Sequence, residues 1–237
     1  MRDALAPTWE EPMARSQTNL ILSRLTDSDF RLIEADLEDV DLPVRKVLEQ
    51  SHRRIDSVYF PESGFASVVA NGVGKKPIEV GIIGREGMTG LAVLLGNERP
   101  KNETYMQALG KGRRLKTNIL RKAIDQRATL HRSLLRYVNY FLDQAAMTAL
   151  ANGRSTIEER LARWLLMADD RVDGEKLPLT HEFLAMMLGV TRPGVTVAVQ
   201  LLERKGLIER QRGSIVIVDR KPLEKLSNGT YAPAVYN

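Results

Sequence analysis

The stretch that most constrains this chain is LPLTHEFLAMMLGVTRPGVTVAVQLLERKGLIERQRGSIVIVD, residues 177–219. Thr180 opens a helical pattern with Leu184, Met187 and Leu188 turned inward, and Ala185 is small enough for a second helix to cross closely. Gly189 ends the pattern where a left-handed residue is needed. Thr191 is placed to cap a second helix whose first residues are Arg192, Pro193 and Gly194. A proline there breaks nothing, because first-turn N–H groups have no intrahelical acceptor and its fixed φ suits a helix start. Val195, Ala198, Val199 and Leu202 follow at i, i+3, i+4 and i+7, an inner face. Gly206 closes the helix, and LIER and SIVIVD read as strands about a basic QRG tip.

Two helices joined by a short turn and followed by a hairpin describe a winged helix-turn-helix. The chemistry agrees. The major groove of B-DNA admits one helix, and Arg192 at its start can donate two hydrogen bonds to a guanine edge. Thr196, Gln200 and Arg204 lie with Arg192 on the outer face, beside Val197, whose methyls suit a thymine methyl, and the capping Thr191 is a further DNA-binding candidate. Arg210 and Arg212 on the wing suit phosphates, as do free N–H groups at the Thr191 end. Two packed helices inside a catalytic domain would show the same pattern; the basic hairpin argues against that alternative.

The rest of the chain divides by pattern. Residues 1–18, with Pro7 and Pro12, read as a flexible arm. Helical spacing runs through Leu22, Leu25, Phe30, Ile33 and Leu37, with Thr26 as an N-cap. From about Leu42 to Leu115, short apolar runs (IDSVYF, FASVVA, IEVGII, TYMQAL) alternate with glycine- and proline-bearing turns, the mark of an antiparallel β-domain. Residues 117–150 contain no glycine or proline and predict one helix of roughly 45–50 Å, able to connect two domains and pair with its twin in a dimer. A core helix folded back on its own β-domain is the alternative. Ser155 or Thr156 starts the next helix, with Glu158 and Glu159 favourable near its N-terminus and Leu161, Trp164, Leu165 and Ala168 inward. The expected division is an arm at 1–18, a β-domain with flanking helices at 19–116, a linking helix at 117–152, a winged helix at 153–226 and a loosely held tail at 227–237. The fold class is α+β.

Composition removes several functions. There is no cysteine, so disulfides, iron–sulfur clusters, thiolate metal sites and cysteine nucleophiles are excluded, and His52, His131 and His181 are too few to predict a metal centre. No apolar run reaches membrane-spanning length and no signal-peptide pattern appears, so a cytoplasmic protein is expected. A net charge of +5 favours an acidic partner without proving one. Asp169, Asp170, Asp173 and Glu175 cluster without a partnered base or phosphate cradle, so no catalytic residue and no enzyme is predicted.

At STIEERLARWLLMADDRV, LTHEFLAMMLGVTRPGV and LLERKGLIERQRGSIVIVD the sequence resembles the Crp/Fnr family of bacterial transcription regulators, over residues from about 20 to 226. The resemblance implies an N-terminal β-roll like a cyclic-nucleotide-binding domain, a long dimerisation helix and a C-terminal winged helix. It also implies a homodimer on double-stranded DNA, and a contact with RNA polymerase if the protein activates. The family's recognition helix usually opens Ser/Thr-Arg-Glu-x-Val. Thr191, Arg192 and Val195 match, but Pro193 replaces the base-reading Glu and Val197 stands where Arg is frequent, so the usual half-site does not carry over.

In the roll, Gly64 and Gly84 read as turn glycines. The possible effector-binding residues are Gly84, Glu86 and Gly87 with Arg99, Lys101 and Asn102. Where nucleotide-binding members hold the cyclic phosphate with an Arg-Ser or Arg-Thr pair, this chain has Asn102-Glu103. A carboxylate there repels phosphate, so cyclic AMP in the usual pose is not expected and no cofactor is called for. Residues 99–136 carry eleven basic residues against two acidic ones, which the family pattern does not explain. A low-specificity architectural DNA-binding protein, and a sensor or enzyme without DNA binding, remain as alternatives.

Overall fold

Asn19 anchors the first described helix. Its side-chain oxygen caps α1 (Leu20–Arg24) by accepting from the Ile21 and Leu22 N–H groups. Its amide donates to the Pro61 and Gly87 carbonyls at 2.7 and 2.8 Å, which ties the helix to the β-domain. The computed structural model describes residues 18–72, 77–174 and 176–234, so the expected arm, save Thr18, lies outside the described residues. Thr26 caps α2 (Asp27–Phe30) by accepting from Asp29 N–H. The helical spacing read onward to Leu37 is not one helix. A 3-10 turn at Glu34–Asp36 leads directly into a strand, β1 (Glu38–Leu42). That acidic strand is held by cross-strand arginines: Glu38 pairs with Arg114 and Asp39 with Arg113, in register.

The β-domain continues with β2 (Val47–Glu49), β3 (Ser57–Pro61), β4 (Ala66–Ala70), β5 (Ile78–Ile83), a helical turn α3 (Leu91–Leu94), β6 (Glu103–Met106) and β7 (Gly110–Lys116). Two antiparallel sheets form, in the orders β1-β7-β3 and β2-β6-β4-β5. Gly64 turns the chain at φ +66°, and a Cβ on it would sit 2.5 Å from the Leu109 carbonyl oxygen, so glycine is required there. The basic run at 99–136 is in part internal chemistry. Besides Arg113 and Arg114, Arg121 pairs with Glu98 and Arg127 with Asp29.

The expected single helix over 117–150 is two. α4 (Thr117–Gln126) and α5 (Ala128–Arg154) are separated by Arg127, which is extended at φ −136° and ψ 102°. No glycine or proline causes the break. Asp29, at the edge of the β-domain, accepts from Arg127 Nε at 3.2 Å and from Thr129 Oγ1 at 2.8 Å, and Arg127 also reaches Ser28. These bonds hold the junction residue out of the helix. The inner face of α5, through Leu130, Leu134, Tyr137, Val138 and Phe141, packs on the β-domain with Ile21, Leu22, Phe60 and Leu115.

A full capping box starts α6 (Ile157–Asp169): Thr156 accepts from Glu159 N–H while the Glu159 carboxylate accepts from Thr156 N–H. β8 (Lys176–Leu177), α7 (His181–Leu188), α8 (Arg192–Arg204), β9 (Ile208–Gln211), β10 (Ser214–Ile217) and α9 (Arg220–Leu226) complete the chain, with a third sheet ordered β8-β10-β9. This unit does not stand apart. One apolar cluster joins Phe65, Val69, Ile82 and Ala108 of the β-domain to Leu161, Trp164, Leu165 and Leu184. The Trp164 ring meets Phe65 on one side and Phe183 on the other, both edge-on, at 6.1 and 5.5 Å. Nor is the start of the tail loose. Arg163 donates to the Thr230 carbonyl, and Arg220 binds Asp169, Asp170 and the Tyr231 hydroxyl. Asp169 and Asp170 are thereby occupied as structural partners of one arginine.

Candidate nucleic-acid interface

α7 and α8 meet at 106°, within the range of helix-turn-helix pairs. Thr180 caps α7 by accepting from Phe183 N–H, and Gly189 ends it in the left-handed region at φ +61°. Thr191 then caps α8 by accepting from Gly194 N–H at 3.4 Å. Val195, Ala198, Val199 and Leu202 are all buried, so the orientation of α8 is set by its apolar face. Gly194 lets α8 lie against the start of α6, since a Cβ there would be 3.2 Å from Ile157 Cδ1.

The outer face is then determined. Arg192, Val197, Gln200 and Arg204 are exposed, Val197 at 57%. Arg192 and Arg204 are about 18 Å apart along the axis at 1.5 Å per residue, a span that fits one groove crossing. Two predicted contacts are otherwise engaged. The Thr196 hydroxyl donates to the Arg192 carbonyl at 3.1 Å and meets His181 Nδ1 at 2.9 Å. The contact with His181 ties the start of α7 to α8. Arg210 donates to Glu203 Oε2 at 2.7 Å, which fixes the wing to the end of α8, whereas Arg212 at the wing tip is exposed. The α8 N-terminus also offers fewer donors than the sequence suggests. Pro193 has none, Gly194 is capped and Val195 N–H bonds to the Thr191 carbonyl, so Arg192 N–H alone is left without a partner in that turn among the described residues.

His181 was not anticipated as part of this surface. Burial lowers its pKa, and the positive fields of Arg210 and Arg192 lower it further, so the imidazole reports a locally positive face. Spacing cannot reveal this, because the three residues come from three elements.

The six possible effector residues do not converge. Gly84, Glu86 and Gly87 form one buried turn, in which Glu86 is 0% exposed and bonded to Arg171 of the C-terminal unit. Gly84 does not take a left-handed φ; it is small because a Cβ would lie 2.6 Å from Arg171 Cγ. Arg99 lies elsewhere, its Nη1 donating to the His52 carbonyl, and the Lys101 carbonyl accepts from Ser51. Asn102, half-buried, directly precedes β6.

Residues 159–226 match the model of the Crp-like helix-turn-helix domain. No curated protein sequence matches the chain. Among solved structures, a protein assigned to the Crp/Fnr family of transcriptional regulators from Eubacterium rectale superposes with a TM-score of 0.70 at 17% identity, covering 89% of this chain and 98% of its own. FixK2 from Bradyrhizobium japonicum gives 0.69 at 19% identity, with 84% and 99% covered. A CRP-family transcriptional regulator from Thermus thermophilus gives 0.67 at 16%, with 84% and 100% covered. Residues 159–226 are therefore a Crp-like helix-turn-helix domain, and the chain around them has the fold of the Crp/Fnr transcriptional regulators.

Proposed function

We propose that this protein is a homodimeric, sequence-specific regulator of transcription that binds double-stranded DNA through α8 and the wing. The observation that carries this is the division of α8 into a buried apolar face and an exposed face of Arg192, Val197, Gln200 and Arg204, beside the basic wing tip at Arg212. Arg192 is the base reader. Thr191 sets the helix start, and Thr196 acts by positioning His181 and the Arg192 backbone. Arg210 braces the wing.

Dimerisation follows from the outer face of α5. Leu135, Asn139, Leu142, Ala146, Ala149 and Gly153 recur at alternating spacings of four and three, the repeat of a coiled-coil seam. Leu142 is 59% exposed and Leu150 48%, while the small residues at 146, 149 and 153 let a second helix approach closely. Asn139 sits where a polar residue fixes register. A two-fold dimer then places two copies of α8 in successive major grooves, about 34–36 Å apart on a pseudo-palindrome. An input at the N-terminal domain acts by shifting the populations of competent and incompetent arrangements. If the protein activates, RNA polymerase is a further partner; a cytoplasmic setting accords with the role.

A low-specificity architectural role has one observation in its favour: with Pro193 in place of a carboxylate and the Thr196 hydroxyl engaged, few polar groups reach base edges. One experiment separates the readings. DNA selected from a random pool is competed against random duplex, with wild-type protein and Arg192→Ala. Specific recognition predicts selected DNA bound at least about 10³-fold more tightly than random DNA. It also predicts that Arg192→Ala costs about 1–3 kcal/mol on the selected site alone. Equal losses on both DNAs remove Arg192 as a base reader, and a ratio near unity supports the architectural role.

A further inference from the structure

The turn Gly84-Arg85-Glu86-Gly87, which the sequence suggests as part of an effector site, is filled from within. Arg171, two residues beyond α6, is 1% exposed and donates from Nε and Nη2 to Glu86 Oε1 at 2.9 and 2.7 Å. Its Nη1 donates to the Met167 carbonyl at 2.7 Å, and the Tyr140 hydroxyl lies 3.5 Å from Nη2. Both glycines clear the space. A Cβ on Gly84 would strike Arg171 Cγ, and one on Gly87 would lie 2.1 Å from the Tyr137 hydroxyl oxygen. Glu86 Oε2 is buried with no hydrogen-bond partner among the described residues, so one acceptor of the carboxylate is left unused beside the ion pair. The other side chain of the turn, Arg85, points outward to Asp173.

We propose that this turn is a guanidinium socket, that Arg171 is its built-in ligand, and that the plug holds the C-terminal unit on the β-domain. The class of ligand follows from the lining. The Glu86 carboxylate, the Met167 carbonyl and the Tyr140 hydroxyl accept a planar cation with several N–H donors, and a carboxylate repels a phosphate. Arg99 and Lys101, the cations expected to meet a phosphate, are not brought to Glu86, and Arg85 and Arg171 are already paired with carboxylates. A parallel bond lies beside the plug. Trp164 and Arg171, seven residues apart, bind Glu79 and Glu86, also seven residues apart. The inference does not require that the protein bind DNA, and its test uses none.

The test is chemical rescue in full-length protein carrying Trp9→Phe, so that Trp164, at the docked face, is the one fluorophore of its type. Arg171→Ala leaves Glu86 buried without its partner and lowers the melting temperature by roughly 6–20 °C, with a red shift of Trp164 emission. Methylguanidinium at roughly ten times its dissociation constant raises the variant's melting temperature by roughly 3–6 °C and restores the emission. Tetramethylammonium at equal ionic strength does neither, and wild-type protein, whose socket is full, does not respond. If Arg171→Ala does not fold, refolding yield with and without methylguanidinium gives the same comparison. Arg171→Met, which fills the space without donors, is expected not to respond. Absence of rescue, equal rescue by tetramethylammonium, or stabilisation of the wild type by cyclic AMP overturns the proposal.

Discussion

Replacing Glu79 by Gln tests the joint between the β-domain and the helix-turn-helix unit through its pH dependence. Glu79, on β5, is 5% exposed. Its Oε2 accepts from Ser67 Oγ at 2.5 Å and its Oε1 from Trp164 Nε1 at 2.6 Å. Burial pushes its pKa up from 4.5 to about 7, against the bonds from Ser67 and Trp164 and the fields of Arg163 and Arg171, which pull it down. The folded protein therefore holds this proton more tightly than the unfolded chain does. The resulting stability is fully present below pH 4.5 and is lost as the pH rises through about 7. A difference of about 2.5 units at about 1.4 kcal/mol per unit makes the loss about 3 kcal/mol. Glu79→Gln keeps an acceptor for Trp164 and does not ionise. In urea unfolding followed by Trp164 fluorescence, in the Trp9→Phe background, the stability difference should shift in favour of Gln by about 2.5 kcal/mol between about pH 5 and pH 8. Parallel curves, or a shift in favour of Glu, refute the assignment of Glu79 as a buried, proton-holding group of this joint.

Leu142→Asp should break the proposed dimer. Two exposed leucines leave the seam, each worth about 1.5–3 kcal/mol, so the dissociation constant by sedimentation should rise roughly 10²–10⁴-fold; an unchanged constant moves the interface off α5. Arg212→Gln at the wing tip should lower the slope of log affinity against log salt by about 1, with the preference for selected over random DNA retained. Loss of that preference would make Arg212 a base reader instead.

Much of the helix-turn-helix unit was legible because its signals are short-range. Thr180, Gly189, Thr191 and Gly206 mark helix ends through bonds or dihedral angles that span a few residues. The inner face of α8 needs only a period of 3.6. The same holds for the Thr26 cap and for the Gly64 turn. What was misread depends on partners far along the chain. EDVDL looks like the end of a helical pattern until Arg113 and Arg114 lie beside it in the sheet. Nothing near Arg127 announces a break, because Asp29, 98 residues away, makes it.

The sequence by itself determined the local elements of this protein: caps, apolar periods, turn glycines and the absence of cysteine chemistry follow from side-chain identity and spacing alone. Only the tertiary structure decided what the polar groups are for. Glu79 with Trp164, and Glu86 with Arg171, are each 85 positions apart, and their pairing converts a suggested effector turn into a joint between two units. The physical reason is that a buried charge takes its meaning from the partner that satisfies it, and folding alone brings that partner within reach.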